Sequence, residues 1–498
     1  MRTIPSLAVA AALSLAAAGT GLAQTGKSLT IAVGANINTL DPHQSATVGT
    51  DLSVLSHVYP AMLKRGPDLK LKPDVAKSWK AIDDKTWQFE LDERAVFSNG
   101  EKIDAEAIKW NLDRVRDPKL NARIRSWFTL ISEVVAVDGK TVQVKTASPY
   151  PALPDQLSMF FLLPPGWAKE NNPVTATMAG DQYRIAENVR GSRIVLEPNP
   201  QYWGEKAAYE KVTFRIIPES SARIAALSAG EVDYISQIPV IEVERLNKAG
   251  RVEANVISST RSAFLKLNLM KPPLDNKAFR QALNYAVDKK GISDALFSGK
   301  AELSSCQLMS PHYFGYNPDL KPYPYDPAKA RELLKQSGVD LAQAVEFEIP
   351  TAVYLQGEEV VQAITSQLAD VGIKTRITEM EFGAFMNKHV QARNLAPIAY
   401  LTYAWPTIDA DGLLSLSQVG NVYDYWADKP FSDLVTEGRA TVDPAKRMEA
   451  YRKATARMCE EAPVVFLFVQ PVTYGTSKRV SWKARGDDWV RAGDFSLR

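Results

Sequence analysis

The chain has 498 residues, 45% of them hydrophobic and 23% charged; at about 100–200 residues per domain this allows roughly two to four structural units with ample core. Fifty-nine basic against 57 acidic residues leave a formal charge of +2, which excludes a nucleic-acid binder working by phosphate neutralisation. Two cysteines and four histidines exclude a disulfide scaffold and argue against a zinc cluster built from them.

The chain opens with Arg2, an apolar run from Leu7 to Ala18, and then Gly21-Leu22-Ala23. A basic start, a short apolar core and small residues before the cut form a secretory signal peptide, expected over residues 1–23 with cleavage near Ala23. The run is about a dozen residues, whereas a spanning helix needs about 20. The expectation is an exported periplasmic protein, and no cysteine follows the cut to take a lipid anchor.

Strand signals begin at Leu29–Val33. Alternation recurs at Trp87, Phe89 and Leu91, at Val142 and Val144, and at Val212, Phe214 and Ile216. Helix signals interleave with them. Asp104 caps a face of Ile108, Asn111, Leu112 and Val115, and Asp275 caps one of Phe279, Ala282, Leu283 and Ala286. Asp326-Pro327 starts a third helix that Gly338 stops. Val360, Ile364 and Leu368 make a further stripe, after which Ile373, Thr375 and Ile377 return to strand period, half of a parallel crossover. The run Ala462 to Val469 is apolar throughout, as a strand covered on both faces is. Strands and helices alternate along the whole length without a Gly/Ser linker, which predicts an α/β fold whose domains are joined by more than one chain crossing.

Chemistry-bearing motifs are sparse. No phosphate-cradling Gly-rich loop, nucleophile elbow or His-Glu-x-x-His stands in the chain. His43, His57, His312 and His389 are scattered, without metal spacing. Tyr403-Ala-Trp405, followed by Asp409 and Asp411, sets aromatic rings beside carboxylates. That pairing suits a cleft gripping an apolar body and a positive group, and equally the end of a buried strand. Cys306 and Cys459 either close a loop of roughly 150 residues or remain separate buried thiols, and both readings stay open.

A series of segments in order resembles the extracytoplasmic solute-binding proteins of family 5, the dipeptide/oligopeptide receptors of ABC importers. They are Asn38-Thr-Leu-Asp-Pro-His43, Pro73-Asp-Val-Ala-Lys-Ser-Trp79, Thr86 to Leu91 with Val96-Phe-Ser-Asn-Gly100, Asn199-Pro-Gln-Tyr-Trp203, Leu227 to Asp233, Pro272 to Lys277 with Arg280 to Asp288, and Tyr325 to Ala330. The resemblance covers the whole mature chain. It implies a two-lobe, flytrap-like periplasmic-binding-protein fold with an extra subdomain in the N-terminal lobe. The first lobe would comprise 24–57, 178–258 and 475–498, the extra subdomain 58–177, and the second lobe 259–474.

The implied function is capture of a small peptide-like or amine-bearing solute in the interlobe cleft and delivery to a membrane permease. The expected protein is a monomer with no cofactor, no catalytic residue and no metal. Asp409 is the first choice for the solute's ammonium group, with Trp405, Tyr403 and Asp411 beside it. Asn38 and the loop of Tyr354 and Gln356 complete the expected site, although no arginine for a carboxylate stands in that loop. The competing readings are a secreted hydrolase and a peptide-holding chaperone.

Overall fold

The computed structural model describes residues 27–351 and 353–498; the expected signal peptide lies outside the described residues. Seven strands form one sheet in the order Val252–Ile257, Val472–Ser477, Tyr234–Ser236, Ser28–Val33, Lys211–Ile216, Arg193–Pro198 and Tyr183–Val189. The first strand of the chain is central, parallel to Lys211–Ile216, and buries Leu29 and Ile31 completely. Asp233 fastens the late return to it, accepting from the Thr30 N–H, the Ser477 hydroxyl and the Arg479 guanidinium.

A second sheet runs Glu302–Leu303, Val464–Val469, Ser262–Leu267, Ile398–Tyr403, Val345–Pro350 and Thr375–Met380. The apolar run read as a covered strand is Val464–Val469, buried at every position. The crossover is present as well: Val345–Pro350, helix Gly357–Asp370 and the parallel edge strand Thr375–Met380. Pairing on one side only leaves Ile377 exposed despite its strand period.

Only two segments connect these sheets. The chain leaves the first between residues 257 and 262 and returns between 469 and 472, slightly ahead of the expected return at 475. The two crossings bond to each other: the Gln470 N–H donates to the Arg261 carbonyl at 2.8 Å, and the Ser259 hydroxyl to the Gln470 carbonyl at 2.6 Å. Gly486 presses on the first crossing so closely that a Cβ there would sit 2.7 Å from the Ser258 carbonyl oxygen. Its own carbonyl accepts the Thr260 N–H.

Between the first and later strands of the seven-stranded sheet, the chain builds a separate four-stranded antiparallel sheet. Its order is Ala76–Asp83, Thr86–Leu91, Thr141–Thr146 and Ile131–Ala136. Helix Ala105–Arg116 covers it, burying Ile108, Leu112 and Val115 over Phe89, Val142 and Val144. Asp104 caps that helix through the Ala107 N–H, and Asp326 and Gly338 bound Pro327–Ser337 as read. The helix Lys277–Ala286 starts one residue later than expected. Asn276, not Asp275, accepts the Phe279 N–H, because the amide oxygen sits at the position whose backbone is extended.

Cys306 and Cys459 are joined, with Cα atoms 5.2 Å apart and 153 residues between them. The bridge ties the loop after Glu302–Leu303 to helix Pro444–Glu461 inside the second lobe. Replacing both cysteines by serine is expected to lower stability by about 5 kcal/mol in the chain-entropy account, read as a drop in the urea midpoint of the purified protein.

Two histidines act as neutral struts. His57 Nδ1 donates to the Ser53 carbonyl while Nε2 accepts the Ala492 N–H at 2.8 Å. His43 Nε2 donates to the Phe161 carbonyl and Nδ1 accepts from Arg114. Each ring therefore needs one lone pair, and burial holds both pKa values down at about 4. Unfolded histidine titrates near 6.5, so below that value the unfolded chain binds protons that the native rings refuse. The contribution of each ring to stability is expected to fall as pH drops from 6.5 towards 4, by roughly 1 kcal/mol per pH unit. Because the raised carboxyl of Asp409 acts in the opposite sense, urea unfolding at about pH 7 and pH 5 is compared between the wild type and His57→Gln, and an unchanged pH dependence in the variant contradicts the strut assignment.

Candidate ligand-binding site

The strand Ile398–Tyr403 ends where the second lobe faces the first, and its continuation forms a wall. Tyr403, Ala404, Trp405 and Pro406 are half-buried in succession, followed by the buried Thr407, Ile408 and Asp409. Tyr403 stands edge-on to Phe264 at 5.0 Å, and its hydroxyl is buried without a partner. The indole of Trp405 lies on Gly412, where a Cβ would come within 1.9 Å of the ring. The Trp405 N–H donates to the Tyr313 hydroxyl at 2.7 Å. Ile408 holds φ at +54°, a left-handed conformation that costs a β-branched residue energy and persists only where its surroundings impose it. Here the Phe314 strand segment imposes it, bonding to the Ile408 carbonyl and the Ala410 N–H on either side.

Asp409, the expected ammonium receptor, is already occupied. Arg447 Nη2 donates to both of its carboxylate oxygens, at 2.8 and 2.9 Å, and the Asp411 N–H caps onto Oδ1. Arg447 is itself enclosed. It donates to the Gly438 carbonyl, reaches the Tyr451 hydroxyl and lies 4.6 Å over the Phe314 ring. Asp409 is 3% exposed, and burial pushes its carboxyl up to about 6 while Arg447 pulls it down. Asp411 is likewise held, by Arg439 Nε at 2.8 Å. Both carboxylates thus brace the wall.

The other expected residues divide. Tyr354 is half-buried and packs edge-on against Tyr400 at 5.6 Å, so that loop joins the Tyr403 strand. Gln356 adopts φ +51° just before helix Gly357–Asp370, and its Oε1 is buried without a partner. Asn38 is exposed on the first lobe, its N–H 3.4 Å from Asp51 Oδ1, and no hydrogen bond ties it to the second-lobe group.

The sequence reading missed the residue that spans the gap. Arg65, from the short strand Leu63–Arg65, donates through Nη2 to Asp155 at 2.6 Å and to the Thr407 carbonyl at 3.1 Å, and through Nη1 to the Leu69 carbonyl. It is 6% exposed and joins first-lobe groups to the second-lobe wall. At the outer rim the Val442 N–H reaches Asp84. Nearer the hinge Arg261 pairs with Asp488 at 3.1 Å. Apart from the Leu69 carbonyl, none of these partners stands close in sequence to the residue it meets, so no local pattern announced them. The two lobes are therefore in contact across a polar seam made of paired charges, aromatic faces and a few unsatisfied hydroxyl and amide oxygens.

A family profile described as bacterial extracellular solute-binding proteins, family 5 Middle, matches residues 70–432. The glutathione-binding protein GsiB of Escherichia coli (strain K12) is 26% identical over 471 residues, covering 91% of each chain. The ABC transporter substrate-binding protein CtaP of Listeria monocytogenes superimposes with a TM-score of 0.85 at 23% identity, over 95% of this chain and 99% of that one. DppA of Helicobacter pylori in complex with the peptide STSA does so with a TM-score of 0.80 at 23% identity, over 95% and 98%. These likenesses show the two-lobe periplasmic-binding-protein fold.

Substituting Asp409→Asn is expected to strand a buried guanidinium and lower stability by about 3–5 kcal/mol. The double substitution Asp409→Leu with Arg447→Met should recover most of that loss. Thermal unfolding of the three variants checks both statements. Lost solute affinity with unchanged stability would return the carboxylate to the ligand's side.

Proposed function

We infer that this chain, which belongs to the bacterial extracellular solute-binding proteins of family 5, is exported to the periplasm and captures a small peptide-like solute between its lobes for an ABC permease. The observation that carries this reading is the seam. Two lobes joined by only two hydrogen-bonded crossings meet across half-buried aromatic and polar groups, bridged by Arg65. Such a joint opens by rotation of intact lobes, and a solute held between them shifts the population towards the closed state only by binding that state better.

The relative named for glutathione and the structural neighbour holding a peptide support a peptide-like solute. In this reading Tyr403, Trp405, Tyr354 and Gln356 form the second-lobe side of the site and Asn38 the first-lobe side, while Asp409 and Asp411 hold the wall in shape. The family is one of solute-binding proteins, which supports a solute that leaves chemically unchanged.

Native mass spectrometry of the purified protein is expected to release one intact small molecule on denaturation. Adding it back should compact the protein in small-angle scattering. Cleavage products in its place identify a hydrolase, and loose binding of unfolded chains of any sequence identifies a chaperone.

A further inference from the structure

Several arginines buried in this protein are saturated by acceptors. Arg223 donates to the carbonyls of Ser236, Ile217 and Pro218, and Arg280 to those of Glu461, Leu274 and Asp275. The same economy governs the seam: the carboxylates of Asp155, Asp409 and Asp411, and the more exposed Asp488, each have a guanidinium of their own, from Arg65, Arg447, Arg439 and Arg261. Arg491, which is half-buried, breaks the pattern. It has no carboxylate within ion-pair distance among the described residues and makes one hydrogen bond, from Nη1 to the Arg65 carbonyl at 3.0 Å. Its Nε is buried without any acceptor, and its guanidinium lies 4.3 Å over the ring of Trp489.

Its position matters as much as its lack of partners. The carbonyl that holds Arg491 belongs to the residue whose own guanidinium crosses to Thr407 in the second lobe. The loop that carries it touches the hinge twice, through the Gly486 carbonyl on Thr260 and through Asp488 on Arg261. Arg491 therefore sits between the hinge and the bridging arginine. We propose that the captured solute carries a carboxylate and that Arg491 receives it, with Trp489 as the apolar face behind the guanidinium.

The physics favours an anion over a neutral group. A guanidinium drawn out of water is costly, and burial together with the nearby Arg485 pushes this one down to about 10, against the pull of Asp487, Asp494 and Asp181. A carboxylate presented to its planar fork restores the lost hydrogen bonds in pairs. Because Asp155, Asp409 and Asp411 each have a guanidinium of their own, an ammonium group finds no free carboxylate among them, whereas an acid finds in Arg491 a cation with spare donors. This choice of solute rests on the reading of the chain as a solute receptor given above.

Calorimetry on the purified, solute-free protein tests it with matched pairs: glutathione against its diethyl ester, and alanyl-alanine against alanyl-alanine amide. The free acids are expected to bind at least about tenfold more tightly than their blocked counterparts. Arg491→Met should bring each pair to within about threefold, and Arg491→Lys should leave an intermediate preference, because it keeps the charge and loses the fork. Thermal unfolding confirms that both variants fold; the wild-type comparison needs no variant. Equal affinity for acid and blocked form, or an undiminished preference in Arg491→Met, overturns the carboxylate assignment and leaves solute capture standing. Absence of binding and compaction with all four compounds overturns the peptide-receptor reading itself, and this inference with it.

Discussion

The constraint on which the molecule depends is that its two large sheets are joined by two strands of backbone bonded to each other. The crossings near Ser259 and Gln470 exchange hydrogen bonds of 2.6 and 2.8 Å, so neither twists without the other. A single tether would let one lobe swivel freely. Two bonded tethers leave one soft direction, closing and opening, and Gly486 packed on the first of them narrows it further. The discontinuous first lobe follows from this, since the chain must come back to finish the sheet it began. Asp233 then secures the return to the first strand through Thr30 and Ser477.

Closure on such a hinge brings charged groups out of water, and that cost is met by pairing. Arg65 with Asp155, Arg447 with Asp409 and Arg439 with Asp411 have N–O distances between 2.6 and 2.8 Å, the short contacts of charge-assisted bonds. Buried pairs of this kind contribute little net stability, since desolvation offsets most of their attraction. Their effect is directional: each fixes a loop at one place. With these three pairs matched, selectivity in the proposed site falls to groups that folding leaves unsatisfied, the Tyr403 hydroxyl, the Gln356 amide oxygen, the Thr407 hydroxyl and Arg491 Nε among them. An unsatisfied buried group rejects a solute that fails to meet it more strongly than it rewards one that does.

The fold was legible because its signals are local. Asp104 just ahead of a buried face, Asp326-Pro327 opposite Gly338, and alternation at Trp87, Phe89 and Leu91 each report on a few neighbouring residues, and short-range sterics and capping decide them. The one-residue shift from Asp275 to Asn276 marks the limit of that resolution, because either side chain caps and only backbone geometry chooses. The proposed site was legible only as a cluster of residues. Tyr403, Trp405, Tyr354 and Gln356 come together around the end of one strand, yet what Asp409 does is set by Arg447, on a helix well downstream. A carboxylate beside aromatic rings reads the same whether its cation is a solute or a side chain. Cys306 and Cys459 posed the same problem, since their spacing in sequence carries no information about distance in space.

What the second-lobe wall has that a loop of the same composition lacks is rigidity established before any solute arrives. Gly412 lets the Trp405 indole lie flat, where any larger residue would push it away. Tyr313 pins the Trp405 backbone, and Ile408 is held in a strained conformation by bonds on both sides. Folding has already met the cost of ordering these groups, so a solute does not bear it on binding. Such a wall cannot adapt to many shapes, and breadth or narrowness of choice must then come from the opposing lobe. That side is held by fewer fixed points: Arg65 reaches across, Arg491 keeps most of its hydrogen-bonding capacity free, and Asn38 is exposed. On the proposed reading the second lobe tests shape and the first tests charge, and closure joins the two tests into one event.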